Sequence, residues 1–211
     1  MPQASVPLTA DEHLIRAIAA GDADAFSALF RRRQGDVYRF ALHMSGSTSV
    51  AEDVTQDVFL QVMHDARRFD PSRGRVIPWL FGITRNLLLQ KMNRDRLLRP
   101  LEENDHRRIG LALATNEDTL ADLTRNERLE ALRRAIPSLP VRYREPVVLC
   151  DLQEMSYAAA ADILGCAVGT VRSRLHRGRA LLAAKMGALE EAPAANSKVR
   201  RGGRGGAKCI A

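Results

Sequence analysis

The side chains best placed for recognition chemistry lie between Thr170 and Arg177. At about 100° per residue, a helix here puts Val171, Leu175, Gly178 and Leu182 on one arc and Arg172, Ser173, His176 and Arg177 on another. All four members of the second arc can donate a hydrogen bond to a base edge or a phosphate. Arginine in particular matches the two acceptors of guanine in the major groove. Arg174 and Arg179 flank the arc and suit phosphate contacts. A basic helix standing alone is more often a solvated face than a reading head. Here the preceding residues decide the matter.

Ser156 has the character of an N-cap for a short helix, Tyr157–Leu164, which Gly165 ends. Cys166 and Ala167 form a tight connection, and a longer helix then runs from about Val168 to Met186. A short helix, a glycine turn and a longer helix make a helix-turn-helix, in which the first helix braces the second at the edges of the bases. The N-terminal half is also patterned for helices. Thr9 and Glu12 have the spacing of a capping box. Gly21 suits a helix stop, and Asp22 suits the cap of the next helix. Phe26, Leu29, Phe30, Val37, Phe40, Ala41 and Met44 keep an apolar stripe, with Gly35 as its weak point. A turn at 46–49 precedes an amphipathic helix over Ala51–Arg68, with Val54, Val58, Phe59 and Val62 inward. Residues 70–74 break the chain, and a last helix of this block runs from about Ile77 to Leu98, with Leu80, Ile83 and Leu87 inward.

Composition limits the choices. The 211 residues carry 32 Lys and Arg against 25 Asp and Glu, a net charge of +7. That balance suits a polyanionic partner, whose condensed counterions are released on binding. The excess is unevenly spread: residues 22–99 and 127–187 are each basic, and 100–126 are acidic. No stretch approaches the roughly 18 apolar residues of a membrane span, and the N-terminus lacks the order of a signal peptide. No membrane insertion is expected, and the cytoplasm is the expected location. Cys150, Cys166 and Cys209 are too few and scattered for a disulfide framework or a zinc site, and Cys150 and Cys166 read as small buried side chains. The acidic stretch reads as a linker with room for a helical turn or two, and the tail from Pro193, rich in Gly and basic residues, as disordered. The expectation is an all-α chain: an N-terminal extension over 1–21, a helical domain over 22–99, a flexible linker over 100–126, a helix-turn-helix domain over 127–187 and a tail over 188–211.

The run from Leu139 and Pro140 through Arg144-Glu145-Pro146-Val147-Val148-Leu149, Met155-Ser156-Tyr157, Ile163-Leu164-Gly165-Cys166 and Val168–Leu175 resembles the C-terminal domain of extracytoplasmic-function (ECF) sigma factors. Ala51-Glu52-Asp53-Val54 with Gln56-Asp57-Val58-Phe59 is similar to the segment with which that family docks on RNA polymerase. Phe69-Asp70 and Arg73-Gly74, then Trp79-Leu80, Ile83 and Arg85-Asn86, resemble its promoter-melting segment. The resemblance implies that Thr170, Arg172, Ser173, Arg174, His176 and Arg177 read the upstream (minus-35) element. It implies that Arg73, Arg75, Trp79, Arg85, Asn86, Gln90, Lys91, Asn93 and Arg94 meet the melted downstream (minus-10) strand. There the Asn and Gln amides face exposed bases and the basic groups hold the backbone. Trp79 suits a stacking role there, although its apolar neighbours favour a core position. Glu52, Asp53, Gln56 and Asp57 are implied to meet the polymerase, and the acidic linker to thread near the RNA path. Core RNA polymerase, promoter DNA and an anti-sigma factor are the implied partners. The chain is expected to be a monomer needing no cofactor or metal. One departure stands out: Ala158-Ala159-Ala160 replaces the Glu-Glu-Ile common in the family, which removes the capping-box acid and one core side chain.

An autonomous helix-turn-helix regulator would account equally well for residues 127–187, but not for the acidic helix or for the basic helix after it. An enzyme acting on nucleic acid is disfavoured. There are no paired carboxylates with a metal-binding pattern, no phosphate-cradling glycine loop, and no nucleophile beside a histidine. His13, His43, His64 and His106 are dispersed.

Overall fold

The computed structural model describes residues 9–72, 74–98 and 120–191, and these are helical with no strand among them. The reciprocal Thr9–Glu12 capping box starts α1 (Ala10–Ala19). The Asp22 carboxylate accepts from Asp24 N at 2.8 Å and Ala25 N at 3.0 Å, starting α2 (Ala23–Ser45). That helix runs unbroken through Gly35. It ends at Gly46, whose left-handed φ of 73° costs a glycine nothing. Ser47 then caps α3 (Thr48–Asp65), which tightens into a 3-10 turn over Ala66–Arg68. After the break, α4 covers Val76–Leu98.

α5 (Leu120–Ala135) begins inside the acidic stretch and passes through a 3-10 turn, Ile136–Ser138, toward α6 (Val141–Val147). Pro146 lies within α6 and has no N–H to give its ladder. Just beyond it the helix widens into a π turn, Val148–Leu152, where Gln153 N donates to Val148 O at 3.0 Å. α7 (Tyr157–Leu164) and α8 (Val168–Glu191) complete the chain.

Packing divides α1–α4 from α5–α8 without separating them. In the first group, Phe40 stacks on Phe81 at 4.8 Å and ties α2 to α4, while Phe30 meets Phe59 edge-on at 4.8 Å and ties α2 to α3. Buried Thr55 and Thr84 return their hydroxyls to the carbonyls four residues back, so neither leaves an unpaired donor. Asp11 anchors α1 to α2 through Arg33, with Nε at 2.8 Å.

The second group then packs on the first: α7 lies against α4, and Ile136–Ser138 and α6 lie against α2. Ile136, Val148, Leu149, Ala160, Leu164 and Val171 join the residues of the first group in one apolar core. Buried Arg144 crosses the boundary. Its guanidinium donates to Leu139 O at 2.8 Å, to Pro137 O, and to Met44 O in the last turn of α2. A helix's final carbonyls have no partner within the helix, and this arginine supplies one. The sequence led us to expect two small domains on a linker. They are both present, closed against each other. The linker residues before Leu120, the tail from 192, and Cys209 lie outside the described residues.

Candidate nucleic-acid interface

The surface expected from the sequence to read the upstream element is built by α7 and α8. Ser156 Oγ accepts from Ala159 N at 3.2 Å, so the bracing helix keeps its cap although the family's acid is replaced by Ala159. Ala160 is buried and takes the place of a larger core side chain. Gly165 ends α7 at φ 62°, and α8 follows after Ala167. Val171, Leu175 and Gly178 are buried and Leu182 half-buried, while Arg172, Ser173, His176 and Arg177 are exposed, so the two arcs face as their spacing predicts. Thr170 and Arg174 are half-buried, and Ser173 Oγ donates to Thr170 O at 3.0 Å. Arg179 is exposed and already holds a carboxylate. Asp151 grips it by two hydrogen bonds, Nε to Oδ2 at 3.0 Å and Nη2 to Oδ1 at 2.5 Å. That fork raises the Arg179 pKa above its ordinary value.

The residues expected to meet the melted strand belong to α4 and the loop before it. Arg75, Asn86, Gln90, Asn93 and Arg94 are exposed; Arg73 lies outside the described residues. Trp79 is half-buried, packed against the apolar core and against Phe69, with ring centroids 5.1 Å apart. Arg85 and Lys91 already have partners. Arg85 Nε lies 2.6 Å from Glu145 Oε1, and the Glu145 side chain is only 5% exposed. Lys91 Nζ lies 2.6 Å from Asp53 Oδ2, which links α4 to α3. A cleft of about 1090 Å³ opens between the two groups of helices, with Arg33, Arg75, Trp79 and Asn86 on one wall and Met155 and Ile163 on the other.

The third surface is on α3. Glu52, Asp53, Gln56 and Asp57 are exposed. They begin one turn in from the start of the helix, whose first turn carries no acid. The macrodipole acts within the first turn, so it does not by itself account for them. Leu60 and Met63 continue the row at 56% and 53% exposure. Sequence reading missed both. The available signal was their place just outside the Val54–Val58–Val62 stripe.

Cys150 and Cys166 are free thiols and half-buried rather than fully enclosed; burial pushes the Cys150 thiol pKa up. Among the described residues no cluster of three His, Cys, Asp or Glu could hold a metal ion, and no helix is long and apolar enough to cross a membrane.

Comparison with known proteins follows the same division. Residues 29–97 match the family model for sigma-70 region 2, and residues 129–182 match that for sigma-70 region 4. The chain is 37% identical to the ECF RNA polymerase sigma factor SigE of Mycolicibacterium smegmatis over 76% of its own length and 62% of that longer relative. It is 36% identical to SigM of Mycobacterium tuberculosis, over 85% of this chain and 86% of the relative. Among solved structures, CnrH in complex with the cytosolic domain of CnrY aligns at a TM-score of 0.61 and 28% identity, over 85% of this chain and 99% of the other. The sigma factor RpoE of Bartonella quintana, in complex with the anti-sigma factor NepR, shares the fold at a TM-score of 0.61 and 24% identity, over 77% and 96%. By these matches the chain belongs to the extracytoplasmic-function RNA polymerase sigma factors of the sigma-70 family.

Proposed function

We propose that this protein binds core RNA polymerase and directs it to promoters, reading an upstream duplex element with α8 and holding the melted downstream strand on α4. The observation that carries the reading is the exposed polar arc of α8, held outward by a capped α7. Arg172 and Arg177 suit bidentate hydrogen bonds to guanine, Ser173 and His176 suit neighbouring base edges, and Thr170 and Arg174 suit the backbone. On α4, Asn86, Gln90 and Asn93 would meet unpaired bases and Arg75 and Arg94 the phosphates, with Arg73 before them; Trp79 would border the strand. Arg85 would exchange the Glu145 carboxylate for a phosphate, and Lys91 would likewise leave Asp53. The first exchange requires the two groups of helices to part, because Arg85 lies on α4 and Glu145 on α6. The α3 face, Glu52, Asp53, Gln56 and Asp57 with Leu60 and Met63 beyond, would dock on the polymerase, its apolar pair supplying the buried centre that a stable interface needs. An anti-sigma factor is a further partner by analogy with NepR on RpoE, and the cytoplasm is where such a protein would work.

Run-off transcription with purified core polymerase on a promoter library tests the reading. Initiation should depend on this protein, and Arg177→Ala should relax one position of the upstream preference, costing about 1–3 kcal/mol of discrimination there. Tight, selective binding of duplex DNA by the protein alone, with no transcript, would instead favour an autonomous regulator.

A further inference from the structure

We infer that Tyr157 is a positioning residue for upstream-element reading, its ring holding the Arg172 guanidinium in place on the base-facing arc of α8. The inference rests on the reading of Arg172 proposed above and goes one residue beyond it. Tyr157 is the first residue of α7, and the Ser156 cap fixes the backbone beneath it. Its side chain is not spent on the core, since the residue is 37% exposed. The Arg172 guanidinium carbon lies 5.8 Å from the ring centroid, within the range of about 6 Å for a cation over an aromatic face.

Arg172 and Arg179 are seven residues apart. They therefore share one side of α8, separated by about 10 Å along its axis, and Tyr157 interacts with both. Their circumstances differ. Arg179 is paired with the Asp151 carboxylate, which takes its Nε–H and one Nη2–H. Arg172 has no carboxylate partner among the described residues, and the ring is its support. A carboxylate would consume the N–H groups that guanine requires. An aromatic face restrains the same side chain and leaves its donors free at the edge. Restraint before binding reduces the entropy lost when a long side chain is fixed on a base. The expected consequence is confined to the base pair that Arg172 reads.

The test uses the full-length protein as polymerase holoenzyme, selecting on a library randomised across the upstream element. Arg172→Ala first locates the base pair, as the position whose preference collapses. Tyr157→Leu keeps the bulk and loses the π face. It should weaken the preference at that same base pair about 2- to 5-fold and leave the other positions and the salt dependence unchanged. Tyr157→Phe keeps the face and should restore the preference; matching circular dichroism and melting temperatures would show that all three variants are folded. A uniform loss of affinity across positions in Tyr157→Leu would overturn the inference, as would equal losses in Tyr157→Phe and Tyr157→Leu, because the tyrosine would then act as a prop or a backbone contact. Unchanged selection by Tyr157→Leu beside a collapsed position in Arg172→Ala would overturn it alone. No change at any base pair in Arg172→Ala would bring down the underlying reading as well.

Discussion

Arg144 shows how one side chain can serve two groups of helices. Its guanidinium is buried, and burial lowers its pKa to about 10 against the partial support of Glu145. A pKa of about 10 still leaves it charged at neutral pH, and three carbonyls, from Leu139, Pro137 and Met44, accept its donors. A lysine has one compact ammonium and cannot span that set. Arg144→Lys should therefore destabilise the protein by about 2–3 kcal/mol in denaturant unfolding, through carbonyls left unpaired. His43 makes a second case at this scale. Burial first, then Arg133 and Arg39, lower its pKa below the ordinary 6.5. The unfolded chain thus takes up a proton near pH 6.5 that the folded one refuses. Stability from this site is complete above about pH 6.5 and falls with acidification, by at most about 1.4 kcal/mol per pH unit, until the folded pKa is passed. In melts between pH 7.5 and 5, His43→Gln should show a shallower fall than the parent.

At the scale of elements, the close approach of α8 to α6 depends on Gly178. A methyl group there would lie 2.7 Å from Val147 Cγ2 and 2.9 Å from the carbonyl oxygen of Tyr143, and the backbone oxygen cannot swing away. Gly178→Ala should cost about 1–3 kcal/mol and shift α8 away from α6. Gly35→Ala makes the contrast. Its methyl would meet only the tip of Arg39, at 3.3 Å, the end of an exposed, flexible side chain paired with Asp36. In the interior of α2 the exchange should stabilise the protein by about 0.5–1 kcal/mol. Thermal unfolding of the two variants would display the opposite signs. The caps at Thr9, Asp22 and Ser156 were legible in the sequence because they act over three residues. The π turn after Pro146 was not, since proline predicts an interruption without its form. The start of α5 within the acidic stretch was legible only as a helical turn or two, for want of a clear apolar period there.

At the scale of the whole molecule, the Arg85–Glu145 pair joins the two groups of helices. Removing one member of a part-buried pair leaves the other uncompensated. Glu145→Gln should accordingly loosen the closed arrangement, seen as a larger radius of gyration in small-angle scattering with unchanged helix content. An unchanged radius would mean that the shared apolar core holds the groups together unaided. The amino-acid sequence alone determined the helical class, the helix-turn-helix and the two arcs of α8, because each depends on periods and caps spanning a few residues. The tertiary structure decided what those periods leave open. Arg85, Lys91 and Arg179 read as free cations in the sequence, yet each faces a carboxylate brought from 28 to 60 residues away. Residues that far apart meet only when helices pack, and no local spacing records which carboxylate will arrive.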